Sequence, residues 1–384
     1  MNPFERFDAI LNHQKPDKMP FYFPTIACTV ASEILGRPVF SGGDSLHFAE
    51  ERSWLLGESA HAEFVHRYRE DAIELNRKLG ADVVRQTWRS SVRPTRAIDD
   101  HTLLFGEENG PHVIKRFFPE NQAYGIVENT QDVRDIDELK NQLEQWIKRD
   151  PSVSEDELAA VYQSQMAFKK AADAYFPSLV GGLSLDIPIQ NVIWLEATAL
   201  EPELMAEYLL VQAEIWVQHV GWLARQGFRW INGGGDLASN QGTILSPTFF
   251  CMALAPALRK ITRACDQYHV FYCYRTDGNI WTIADSMFGD AGCQGYGEVD
   301  RDAGMTVGAL RTRFPNLVIL GNNSSNLLHR GSEEQVRRET RQALCESGGS
   351  HFIPGPSNAI MHGTPVGNVY AMIDEIEKYR PGGS

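Results

Sequence analysis

The sequence predicts an α/β protein, a (β/α)8 TIM barrel with an inserted β-hairpin region. Three observations lead there. Eight short apolar runs are separated by segments with helical periodicity. The chain has 384 residues, which suits one such barrel with insertions. Glycine- and amide-bearing turns follow the apolar runs, where barrel enzymes hold their chemistry.

Each element has a local cause. Asn2-Pro3-Phe4-Glu5 predicts a helix start, with Asn at the cap, Pro in the first turn and Glu three residues on. That helix ends near Asn12-His13. Pro20–Pro24 is the first strand. A helix fills residues 60–80 and stops at Gly80, and Ala81–Thr87 is the second strand. Residues 90–130 break the rhythm with short alternating runs around Gly106 and Gly110, which predicts the hairpin insertion. Residues 130–150 form a charged, exposed helix, and Ser154-Glu155-Asp156-Glu157 is a capping box opening another. From residue 176 the alternation is regular, with strands at Ser178–Gly181, Phe228–Asn232, Val270–Tyr274, Gly295–Glu298, Leu317–Leu320 and His351–Ile353. Between them, apolar residues recur at helical spacing over 204–226. Ser246-Pro247 caps a helix reaching about 268, and Ser332-Glu333-Glu334-Gln335 caps another. No internal repeat interrupts residues 1–384, which read as a single barrel domain.

Composition narrows the function. Hydrophobic residues make up 43% and charged residues 22%, enough for a large core. A formal charge of −14 argues against nucleic acid or an anionic membrane as partner, since both need a basic face. No apolar run reaches the length of a transmembrane helix, and the N-terminus lacks the pattern of a signal peptide. Six scattered cysteines suit reduced thiols, so the expected location is the cytoplasm. No dinucleotide fingerprint, P-loop or nucleophile elbow is present.

The candidate chemistry sits where strands end. Gly233-Gly234-Gly235-Asp236 follows one strand, Arg275 and Asp277 the next, then Glu298, Asp300 and Asp302, then Gly321-Asn322-Asn323, and finally Ser357, Asn358 and His362. Asp236, Asp277 and Glu298 are the candidate catalytic acids, since clustered carboxylates raise one another's pKa. The same acids also suit a hard divalent cation, helix capping, or bonds to loop amides. Arg85, Arg89, Arg93 and Arg96, with Trp88 among them, form the densest basic run. Guanidinium groups there, joined by Arg275, would bind a carboxylate or phosphate, or else form exposed ion pairs with the acidic insertion. Trp88, Asn322, Asn358 and His362 complete the substrate-binding candidates, His362 as the histidine in a glycine-proline loop. Cys273 and Cys293 lie near strand ends without ligand spacing and read as buried thiols.

Several of these stretches, taken in order, resemble the uroporphyrinogen decarboxylase and cobamide methyltransferase superfamily. They are Pro16-Asp17-Lys18-Met19-Pro20, Gly235-Asp236-Leu237 leading to Leu245-Ser246-Pro247, Thr276-Asp277-Gly278-Asn279-Ile280, Gly321-Asn322, and Gly331 with Glu333, Glu334 and Val336. The departures are as informative. The arginine-rich motif that the decarboxylases carry after the first strand is here Pro24-Thr25-Ile26-Ala27-Cys28. Their catalytic aspartate falls at Thr87 and their late histidine at Asn358. The zinc ligands of the methyltransferases fall at Arg275, Asp277 and Pro356 or Ser357, so no bound metal is expected.

The resemblance implies a divergent barrel enzyme that transfers a methyl group from a small, anionic, methoxylated or methylated substrate to a corrinoid protein. It implies no tightly bound cofactor, a corrinoid carried by the partner, and a homodimer. The alternative is decarboxylation of an anionic substrate such as a porphyrinogen. A non-catalytic ligand-binding barrel is the third reading.

Overall fold

The computed structural model describes residues 1–89 and 91–381; Ser90, at the start of the expected insertion, and the last three residues lie outside them. The strands are β1 Val84–Arg85, β2 Arg96–Asp99, β3 Thr102–Gly106, β4 His112–Phe118, β5 Ala123–Asn129, β6 Ser178–Gly181, β7 Trp230–Gly234, β8 Ala238–Ser239, β9 Gly242–Thr243, β10 Phe271–Arg275, β11 Gly295–Gly297, β12 Val318–Leu320 and β13 Phe352–Ile353.

Seven of these form one parallel sheet in the order β1-β6-β7-β10-β11-β12-β13, with helices between them in the chain. Tyr22 supplies the eighth position. It bridges Val83 in parallel on one side, and its N–H donates to the Pro354 carbonyl, 3.3 Å away, on the other. Beyond it, Ile26 bridges Ile360, with the Ala27 N–H donating to Ile360 and the Ile360 N–H to Thr25, both at 2.9 Å. The sheet thus curls into the expected barrel, and all eight strand positions expected from the sequence take part. The strands are apolar because both faces are covered: every residue of β7, β11, β12 and β13 is buried. Phe7 of the N-terminal helix Pro3–Leu11 stacks on the fully buried Trp230 at 5.3 Å, which helps anchor that helix to the barrel.

The capping signals form as expected. Asn2 with Glu5, Ser154 with Glu157, and Ser332 with Gln335 each make the reciprocal pair of bonds of a capping box. Gly80 ends the helix Glu58–Leu79 in the left-handed conformation. The helix Ile136–Ile147 is charged but not wholly exposed, since Leu139 and Leu143 are buried. The segment expected to be a hairpin is a four-stranded antiparallel sheet, β2-β3-β4-β5. It packs on the helix Asp44–Ser53 through Phe48, Leu103, Phe105 and Phe117, with Phe48 stacked on Phe117 at 4.6 Å. The two outer strands, β2 and β5, gave no clear period-2 pattern because their residues are largely exposed. Among the described residues, no helix is long and apolar enough to cross a membrane.

The seam is tightest at Gly355, where a β-carbon would lie 2.3 Å from the Tyr22 carbonyl oxygen. Gly355→Ala should therefore lower stability by about 1–3 kcal/mol, as overpacking does, which urea unfolding would measure.

Candidate active site

The C-terminal strand ends open on a cavity of about 580 Å3. Arg85, Trp88, Arg89, Asp186, Asn232, Gly233–Gly235, Asp236, Arg275 and Glu298 are among the residues that line it. Five of the expected site residues therefore meet: Asp236, Glu298, Arg89, Arg275 and Trp88.

Arg275 is central. It sits at the end of β10, in register with Gly234 on β7 and Gly297 on β11. A β-carbon at Gly234 would come within 2.4 Å of the Arg275 carbonyl, so only glycine admits this approach. The Arg275 guanidinium is ion-paired with Glu298, and both side chains are largely buried. Burial works against its charge, but Glu298, with smaller help from Tyr22 and Cys273, holds Arg275 above its ordinary pKa. Glu298 has a positive φ of 61°, a conformation that costs a non-glycine residue about 1–3 kcal/mol. This strained carboxylate serves as a counter-ion, not as the free acid expected from its position.

Arg89 is held differently. It donates to Glu50 at 2.8 Å and to Ser164 at 2.7 Å, and its guanidinium lies 4.9 Å from the centre of the Tyr68 ring. Glu50, on the helix Asp44–Ser53, is fully buried. Desolvation pushes its carboxyl up to about 7 against the opposing pull of Arg89. No sequence signal marked Glu50, since an acid on an amphipathic helix reads as exposed. The remaining arginines of the run do form exposed pairs, Arg93 with Glu58 and Arg96 with Glu108. Trp88 is 67% exposed at the rim, edge-on to His47.

Asp236 follows the glycines of β7, exposed at the cavity edge. Its loop is set by the buried Thr276, whose hydroxyl accepts from the Leu237 N–H at 3.0 Å. Asp277 lies instead in a neighbouring acidic chamber with Asp300, Asp302 and Asn358, and the Asn358 amide donates to it at 3.1 Å. Two expected ligand-binding residues lie elsewhere. Asn322 is fully buried and spends its amide on the carbonyls of Val299 and Met305, tying down the loop after β11. His362 is exposed and bonded to Thr29. Cys273 and Cys293 are buried, and burial raises both thiol pKa values. Among the described residues, no three His, Cys, Asp or Glu side chains are grouped to hold a metal ion. With a guanidinium at position 275, a zinc thiolate site does not fit these residues.

Two measurements check this arrangement. Glu298→Gln should leave a buried guanidinium uncompensated and cost about 3 kcal/mol in chemical unfolding. Glu50, with its folded pKa raised, holds a proton in the native state at pH values where the unfolded chain has lost it. Its contribution to stability therefore falls as pH rises from about 5 through 7. Unfolding of wild type and Glu50→Gln across that window should show the wild type losing stability relative to the variant.

Residues 191–379 match the family model described as uroporphyrinogen decarboxylase (URO-D). A solved methyltransferase from Methanosarcina mazei superposes with a TM-score of 0.65 at 18% identity, covering 98% of this chain and 99% of that one, a likeness of fold. A D-psicose 3-epimerase from Clostridium cellulolyticum H10, solved with D-tagatose, reaches a TM-score of only 0.38 at 14% identity, over 62% of this chain and 90% of that one. No curated protein matches the chain. The matched segment runs from the start of the helix Val192–Leu200 to the last helix, so this part of the chain is similar to the uroporphyrinogen decarboxylase family, and the barrel as a whole shares its fold with the M. mazei methyltransferase.

Proposed function

We propose that this barrel enzyme transfers a methyl group from a small methoxylated carboxylate to a reduced corrinoid held by a partner protein. The observation that carries the reading is the cavity, which combines guanidinium groups at its floor with two exposed carboxylates at its edge, Asp186 and Asp236, neither bonded to another side chain among the described residues; of these, Asp236 follows the glycines of β7. Its volume of about 580 Å3 suits a small organic donor.

The roles follow from the geometry. Arg275, anchored by Glu298, and Arg89, anchored by Glu50, present positive charge to the donor's carboxylate. In the transfer, the bond between the methyl carbon and its donor oxygen breaks, and the methyl passes to the nucleophilic corrinoid as a formal cation. The oxygen left behind takes a proton from Asp236, so the donor leaves as an alcohol or phenol. Asp277, tied to Asn358, orders the turn after β10. The exposed Trp88 and Val161 at the rim give an apolar surface against which the incoming partner can seat.

The test uses the full chain with chemically reduced cob(I)alamin and a panel of methoxylated carboxylates, following methylcobalamin by absorbance. Asp236→Asn should slow transfer by about 100-fold or more with donor affinity retained. Equal rates in variant and wild type would remove Asp236 from the chemistry. Release of CO2 without methyl transfer would instead favour the carboxy-lyase alternative.

A further inference from the structure

Arg85, at the end of β1, lines the cavity with Arg89 and Arg275 but, unlike them, makes no ion pair with a carboxylate among the described residues. Its Nε donates to the Pro24 carbonyl at 2.9 Å, and among the described residues its only other bond is a long one, 3.5 Å, to the Thr25 hydroxyl. It is enclosed by protein, with its open side on the cavity. Burial and the neighbouring Arg275 both work against its charge, with only part of that offset by Tyr22, Glu298 and Tyr68. Two guanidiniums therefore share the single carboxylate of Glu298. Asp186 and Asp236 line the same cavity at its exposed edge, and neither makes an ion pair with Arg85 or Arg275 among the described residues. A buried cation in that state lacks a counter-ion.

A second, independent feature lies close by: the Arg85 guanidinium comes within 3.8 Å of a β-carbon placed at Gly181, the residue in register with Asn232. Asn232, 2% exposed on β7, accepts from the Trp230 indole N–H at 2.6 Å through its Oδ1. That bond fixes the amide so that Nδ2 is the remaining donor. Nδ2 is buried and without a partner, on a residue that lines the cavity. The buried Tyr22 hydroxyl, an electrostatic neighbour of Arg85 and Arg275, is also unpartnered.

We infer that Arg85 and Asn232 form an anion subsite at the cavity floor that takes one carboxylate, so the substrate is a small monoanion. This deepens the functional reading above and rests on it for the word substrate, but the subsite itself stands on the uncompensated charge and the orphaned amide. One negative charge neutralises the floor. A second would meet Glu298, and a polycarboxylate tetrapyrrole would bring far more charge than one free guanidinium can match.

Calorimetric titration of the full chain with methoxyacetate, its neutral counterpart 2-methoxyethanol, and the dianion malonate tests this without any turnover. Methoxyacetate should bind best of the three. Arg85→Gln should weaken it about tenfold or more while leaving the melting temperature unchanged or raised, because the repulsion with Arg275 is relieved. Asn232→Asp, nearly isosteric, should place a carboxylate of the protein's own at the subsite. It should raise the melting temperature and abolish methoxyacetate binding. Unchanged affinity in both variants, tighter binding of malonate, or no binding of any probe to wild type would overturn the subsite. Binding as expected with no methyl transfer would leave the subsite standing and overturn the methyltransferase reading alone.

Discussion

A guanidinium cannot stay buried in the middle of a barrel without a carboxylate, and much of this site is arranged to keep Arg275 there. Glu298 accepts a left-handed backbone to reach it. The strands on either side carry glycine in register with it, so the chain can close around the arginine without a clash. The charge balance of the whole floor follows from that pair. Once Glu298 is committed to Arg275, Arg85 is left over, and the cavity becomes selective for an anion that the protein does not itself provide.

The barrel was legible because its signals are local. Eight apolar runs bounded by glycine, proline and amide residues fell within three residues of seven strands and of the bridge at Tyr22, and three capping boxes formed where the sequence put them. The rule that chemistry follows strand ends then found Asp236, Arg275 and Glu298. It failed where direction mattered. Asn322 follows a strand as surely as Asp236 does, yet its amide turns back to hold a loop. His362 bonds to Thr29 and is not among the residues lining the cavity. The arginine run read as one cluster, but Arg85 faces the cavity floor, Arg89 the cavity wall, and Arg93 and Arg96 face solvent. Which way each points depends on where the chain leaves β1, and no periodicity encodes that. Glu50 was invisible for the opposite reason. Its neighbours are Arg89 and, on the helix Glu58–Leu79, His61, so its burial depends on parts of the chain outside its own helix.

The acids divide between two chambers for a related reason. Asp236 and Asp277 follow neighbouring strands, but Thr276 ties the first loop down while Asn358, arriving from beyond β13, draws the second carboxylate to its own side. Adjacent positions in a barrel are therefore not equivalent positions in its mouth, and a cluster of acids in sequence order need not be a cluster in function.

The helix Asp44–Ser53 carries two consecutive buried glutamates that face different neighbours. Glu50 holds Arg89 in the cavity wall, while Glu51 holds Lys115 of β4 and Tyr124 of β5. One turn of helix is thus a rigid coupling between the appended sheet and the ligand chamber. Changes in the sheet's length, twist or packing would shift that turn and re-aim Arg89 while every barrel strand stayed in place. Selectivity in this molecule can be adjusted from outside the barrel, by remodelling an accessory layer that never touches the ligand.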